Sequence, residues 1–88
     1  MEIYYHEKFR KNYRKRILAN KKLVIQVKTR VQLFIKNPFL NILKNHALKG
    51  KRKKLRSFSI TSDIRIIYKK ISKDKIIFID IGRHNQIY

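Results

Sequence analysis

The feature that most constrains this chain is a change of hydrophobic period partway along it. Phe9, Tyr13 and Ile17 fall four apart, with Arg10, Lys11, Arg14 and Lys15 on the other sides, and Leu23, Val27, Val31 and Phe34 continue the pattern. That spacing describes two helices, each with one apolar face. After residue 54 the pattern becomes runs rich in Ile, Phe and Tyr, at 54–60, 64–70 and 75–81. Thr61-Ser62-Asp63 and Ser72-Lys73-Asp74 separate them and are short enough for antiparallel hairpins. Residues 2–5 (EIYY) supply one more short strand, with aromatics suited to a half-buried pleated surface. Ala19-Asn20 marks a turn between the helices. Pro38 ends the second, at 21–37, because the residue before a proline is pushed out of the helical region. Pro38, Asn41, Asn45 and Gly50 punctuate residues 38–50, which read as a loop with one helical turn. The predicted order is β-α-α-β-β-β. It describes an α+β domain with a mostly antiparallel sheet, a helical hairpin on one side, and IIFIDI (76–81) as a central strand.

Eighty-eight residues make a single domain, 1–88, with one thin core and no room for a deep substrate cavity; a chain of this size buries only about 60–65% of its unfolded surface. On that small surface 24 Lys and Arg face 5 acids, a net charge of +19. Such a surface repels itself and favours partners of dense negative charge: nucleic acid first, an acidic protein second, an anionic membrane third. The absence of cysteine removes disulfides, thiolate zinc sites and thiol nucleophiles together, and fits a reducing cytoplasm. Residues 2–20 interleave Arg and Lys with aromatics and lack the apolar core of a targeting sequence. The longest apolar stretches, such as 76–79, fall far below the roughly 20 residues of a spanning helix, so a cytoplasmic protein with no membrane partner is expected.

A basic nucleic-acid binder with catalytic power needs an acid–base pair and a cation aimed at a phosphate. Gly50 and Gly82 are the only glycines, so there is no phosphate-binding glycine loop and no nucleotide cofactor is expected. His46, Asp63 and His84 show no short ligand spacing, so neither is a metal. His84 follows Gly82-Arg83, where glycine permits a tight turn that aims a side chain at a ligand. His46 lies in the irregular segment, and His6, between an aromatic strand and a basic helix, is structural or merely exposed. Arg65 interrupts an otherwise apolar strand. Residues two apart share a strand face, so Asp63 and Arg65 form either a structural pair or a phosphate-binding arginine held by a carboxylate. Lys11, Arg14 and Lys15 on the first helix, and Lys51, Arg52, Lys53, Lys54 and Arg56 before and within the run 54–60, are either a solvated face or a phosphate-tracking surface. Their density exceeds what solubility requires and favours RNA binding.

Three blocks, NHALKG at 45–50, LRSFSITSDIRIIYK at 55–69 and IDIGRHNQIY at 79–88, together resemble the C-terminal half of the RelE/YafQ-like toxins of type II toxin–antitoxin modules. The N-terminal part agrees in layout. The resemblance implies a microbial RNase-type fold, with a curved antiparallel sheet carrying an N-terminal helical hairpin. It also implies ribosome-dependent endonucleolytic cleavage of mRNA in the A site, inhibition of translation, and neutralisation by a cognate acidic antitoxin in a hetero-oligomeric complex. The positions matching His46, Asp63 and His84 belong to the YafQ-like active site, a terminal aromatic matches Tyr88, and Arg65 matches the strand arginine of the wider RelE group. Arg83 stands beside a glycine where related toxins often carry a basic residue. Ser59 departs from relatives that carry a further histidine there, which leaves the division of acid and base roles open.

No metal is needed for such cleavage, because the ribose 2′-hydroxyl can attack the adjacent phosphate once its geometry and proton are managed. His84 is the expected main proton-transfer group, Asp63 or His46 its complement, Arg65 or Arg83 the cation on the phosphoryl oxygens, and Tyr88 a base-stacking or nucleotide-holding residue. The 70S ribosome would supply the in-line orientation that a shallow site lacks. Two other readings suit the same sequence: a ParE-like gyrase-inhibiting toxin, and a non-catalytic RNA-binding module.

Overall fold

The computed structural model describes residues 1–88. Strand β1 (Glu2–Tyr5) leads into α1 (Glu7–Arg16) and α2 (Lys21–Lys36), and these are followed by the two-residue β2 (His46–Ala47). Strands β3 (Arg56–Ser59), β4 (Ile64–Lys70) and β5 (Lys75–Arg83) come next, and a single helical turn, α3 (His84–Ile87), closes the chain. Two short 3-10 turns, Asn41–Leu43 and Gly50–Arg52, flank β2.

The helix ends follow from local chemistry. His6 caps α1, its Nδ1 accepting from the Lys8 N–H at 3.0 Å, while Glu7 in the first turn and Arg14, Lys15 and Arg16 in the last complement the helix dipole. Asn20 caps α2 by accepting from the Leu23 N–H at 3.1 Å. Asn37, already extended ahead of Pro38, stops it.

The five strands form one mixed sheet in the order β1-β5-β4-β3-β2. β1 runs parallel to β5, with Glu2 opposite Lys75 and Tyr5 opposite Phe78, and every other pairing is antiparallel. The expected α+β order is therefore present, with two corrections. β2 and α3 are additional elements, too short to impose a period on the sequence. β3 begins at Arg56 rather than 54, and β5 runs on to Arg83. IIFIDI does lie in an interior strand, β5, between β4 and the parallel β1.

Alternation along the strands divides the apolar residues between two faces. Phe58, Ile64, Ile66, Tyr68, Phe78 and Ile81 join Phe9 and Ile17 from the first helical segment and Val27 and Phe34 from α2 in the main core. Phe34 stacks on Phe58 with ring centroids 4.3 Å apart and meets Tyr68 edge-on at 4.9 Å, so one aromatic residue anchors α2 to two strands. A smaller cluster of Leu48, Ile67 and Ile87, backed by Leu55 and Ile79, seats α3 against the other face.

One buried carboxylate ties α1 to β5. Asp80 is 2% exposed, accepts from Asn12 Nδ2 at 2.6 Å and from the Ile81 N–H at 2.8 Å, and stands 3.6 Å from both Lys8 Nζ and Arg16 Nη1. The β4–β5 ladder shifts register between Ile67 and Tyr68, leaving Ile79 without a partner beside this point. No helix is long and apolar enough to cross a membrane.

Candidate active site

The C-terminal turn is fixed from four sides. Gly82 precedes it and leaves room for two engaged side chains: an added Cβ would stand 2.6 Å from Arg16 Nη1, 2.8 Å from Gln86 Oε1 and 3.2 Å from Ile87 Cγ2, so those side chains would have to shift. Arg16 itself donates to the Ile81 carbonyl at 2.9 Å, and the Arg83 N–H donates to Gln86 Oε1 at 2.7 Å, closing the start of α3. Arg52 donates to the Ile87 carbonyl at 2.6 Å, and the Tyr88 hydroxyl donates to Ser57 Oγ in β3. The turn thus lies back across β4, and His84 meets the edge of the Tyr88 ring at a centroid distance of 4.5 Å.

His46 reaches the same place from β2, at the edge of the sheet. It pairs with Ser57, the residue that receives Tyr88. Just before it, Lys44 is the one non-glycine residue at positive φ (φ 48°, ψ 42°), and its carbonyl lies 2.9 Å from His46 Nδ1. A carbonyl can only accept, so Nδ1 carries the proton of the neutral ring, and the lone pair resides on Nε2. His46, His84 and Tyr88, together with Ala47, Leu48 and Lys49, line a shallow cleft of about 210 Å³.

The other expected site residues lie outside the cleft lining. Asp63 pairs with Arg83, Oδ2 to Nε at 3.3 Å, and not with Arg65. Asp63 belongs to the turn ahead of β4, where Thr61 Oγ1 accepts from the N–H groups of Asp63 (3.2 Å) and Ile64 (2.9 Å), so strand alternation does not reach it. Its ion pair is well exposed, and such pairs contribute about 0–1 kcal/mol, yet it orients Arg83 immediately beside His84. Arg65 sits opposite Ser59 on one side and Gly82 on the other, half-buried, and its guanidinium makes no side-chain hydrogen bond or ion pair. Ser59 is 4% exposed and spends its hydroxyl on the Thr61 carbonyl at 2.6 Å.

The basic residues also divide. Lys11, Arg14, Lys15, Lys51, Lys53 and Lys54 are exposed. Arg52 and Arg56 are half-buried and already engaged: Arg52 holds Ile87, while Arg56 donates through Nε to Asn45 Oδ1 at 2.9 Å and lies 5.3 Å over the Phe39 ring. Sequence reasoning missed Lys44, Asn45, Lys49, Ser57 and Arg16. The punctuated loop around Asn45 signalled a special backbone there, whereas a lysine at positive φ carries no such signal. No three His, Asp or Glu side chains converge anywhere in the chain in a way that could hold a metal ion.

The family model described as "Bacterial toxin of type II toxin-antitoxin system, YafQ" matches residues 1–88. Among solved structures, YafQ from E. coli superposes with a TM-score of 0.78 at 25% identity, covering 99% of this chain and 97% of that one. A copper-bound mutant toxin from Helicobacter pylori gives 0.78 at 25% identity over 100% and 99% of the two chains. The E. coli DinJ-YafQ toxin-antitoxin complex gives 0.76 at 25% identity over 99% and 96%. No curated protein sequence matches the chain significantly.

Proposed function

Because this chain belongs to the YafQ family of bacterial type II toxins, we propose that it is a ribosome-dependent endoribonuclease that cuts mRNA in the A site by metal-independent acid–base catalysis and so stops translation. The observation that carries this reading is the cleft in which His46, from the edge strand β2, meets His84 and Tyr88, from the turn after β5, on one surface of a strongly cationic domain.

In this reading His46 Nε2, the nitrogen with the free lone pair, takes the proton from a ribose 2′-hydroxyl. The 2′-oxygen forms a bond to the adjacent phosphorus, the bond from phosphorus to the 5′-oxygen breaks, and protonated His84 delivers a proton to that leaving oxygen. The products are a 2′,3′-cyclic phosphate and a 5′-hydroxyl end. Arg83, held by Asp63, and Arg65, whose guanidinium is uncommitted, supply positive charge to the phosphoryl oxygens. Tyr88 stacks on a base beside the scissile linkage. The ribosome supplies in-line orientation that so shallow a cleft lacks, an effect worth several orders of magnitude. Lys11, Arg14, Lys15, Lys51, Lys53 and Lys54 track RNA phosphates, with Arg52 and Arg56 contributing through what their anchored guanidinium groups leave free.

The partner is a cognate acidic antitoxin in a hetero-oligomeric complex in the cytoplasm. The charge of +19 and the E. coli relative solved with DinJ support this. Primer-extension mapping in a translation extract tests the reading. The parent is expected to cut within translated codons, while His84→Ala and His46→Ala fall by about 10²-fold or more. Equal cutting by His84→Ala and the parent would overturn it.

A further inference from the structure

We propose that Asn45 is a positioning residue that acts through His46 by fixing which nitrogen of its ring carries the proton. The inference rests on the nuclease reading only for its consequence in rate; the geometry behind it is independent of that reading.

Asn45 spends its whole side-chain amide on three separate parts of the fold. Nδ2 donates to the Pro38 carbonyl at 2.9 Å and to the Tyr68 hydroxyl at 2.7 Å, and Oδ1 accepts from Arg56 Nε at 2.9 Å. Tyr68 is 2% exposed in the central strand, Arg56 opens β3, and Pro38 starts the loop. One short side chain therefore fastens the middle of an irregular segment to two strands. The residues on either side are the ones that need fastening. Lys44 holds a left-handed conformation that an L side chain with a Cβ adopts at a cost, and it persists only where surroundings over-determine it. That conformation puts the Lys44 carbonyl 2.9 Å from His46 Nδ1. His46 itself is exposed on a strand of two residues, with little packing of its own to hold the ring.

The chain of cause runs from the Asn45 amide to the Lys44 backbone, from there to the Nδ1 proton, and so to the lone pair on Nε2. Without the tether, Lys44 is free to return to negative φ, its carbonyl leaves Nδ1, and the ring relaxes toward the tautomer with Nε2 protonated, which is the form free imidazole side chains prefer. That form presents a donor to the cleft where an acceptor stood.

Imidazole ¹⁵N NMR on the full chain reads the tautomer directly and needs no activity. With the histidines neutral, the parent is expected to show His46 Nδ1 protonated and Nε2 bare. Asn45→Ala is expected to move His46 toward protonated Nε2 and to lower kcat in a translation extract about 10- to 100-fold, with KM little changed. Asn45→Asp keeps acceptors for Arg56 Nε and the Tyr68 hydroxyl but sets a carboxylate oxygen against the Pro38 carbonyl, so it is expected to restore part of both readouts. If a folded Asn45→Ala keeps the parent tautomer, the proposal is overturned. Should that variant fail to fold, Tyr68→Phe removes one tether while leaving the ring in the core, and an unchanged His46 signature there overturns it instead. His46→Ala in the same extract separates the two layers. A shifted tautomer in Asn45→Ala, with full cutting by His46→Ala, upholds the positioning and sinks the catalytic role of His46. Abolished cutting by His46→Ala, with parent tautomer and rate in Asn45→Ala, does the reverse.

Discussion

Tyr88 joins the two halves of the cleft: its hydroxyl bonds Ser57 in β3 while its ring stands edge-on to His84 at 4.5 Å. Ser57 is in turn the sheet partner of His46, so the position of each histidine depends on the same aromatic residue. Tyr88→Phe keeps the ring and loses only the bond to Ser57, so cleavage is expected to fall a few-fold. Tyr88→Ala removes the ring as well as the hydroxyl and is expected to cost about 10²-fold, the scale of a misplaced catalytic group. Single-turnover cleavage on ribosomes compares the two, and equal losses would show that the hydroxyl alone matters.

Gly82→Ala forces apart groups that meet at the start of α3. The new methyl would displace Arg16 from the Ile81 carbonyl or Gln86 from the Arg83 N–H. The expected cost is about 1–3 kcal/mol, typical of overpacking. It should appear as a lowered Tm and as faster amide exchange confined to residues 83–88. Uniformly faster exchange across the sheet would contradict a local effect.

Asp80→Ala leaves Asn12 and the Ile81 N–H without their buried acceptor and Arg16 without its counter-charge. A loss of about 3 kcal/mol in urea unfolding is expected, since breaking one side of a buried charged network strands the other. Asp80→Asn preserves an acceptor for Asn12 and is expected to cost about 1 kcal/mol, the scale of one charge-assisted bond made neutral.

The basic residues should separate by how they are held. Replacing Lys11, Arg14 and Lys15 by alanine is expected to leave stability unchanged and to flatten the salt dependence of ribosome binding. The log–log slope should fall by about 0.7–0.9 for each phosphate that is no longer neutralised. Arg52→Ala should instead lower Tm and loosen residues 84–88, because its guanidinium carries the Ile87 carbonyl. An Arg52→Ala protein with parent stability and only a changed salt slope would show that the bond to that carbonyl contributes nothing.

The two helices and three long strands were legible because each repeats its apolar period over enough residues to be unambiguous. The single turn of α3 and the two residues of β2 are shorter than one period, and no pattern can announce them. His46 and His84 stood out in the sequence as candidates, and both line the same cleft as Tyr88. The Asp63–Arg65 pairing could not be trusted, because face-sharing applies inside a strand and Asp63 lies in the turn before it. Arg52 and Arg56 look like members of a solvated charge run, and only the fold reveals the carbonyl and amide their forked side chains reach. Asp80 was hidden by distance: its closest side-chain partner, Asn12, lies 68 positions away.

The parallel ladder between β1 and β5 has a bearing on how the protein matures. Glu2 finds Lys75 across almost the whole length of the polypeptide, so that pairing must close a very large loop before it repays the lost chain freedom. Local helices can flicker into place early, but the strand that delivers His84 gains its outer neighbour only when both extremities meet. Acquisition of a competent cleft is therefore expected to coincide with the final cooperative step of folding, so that partly folded molecules are harmless ones.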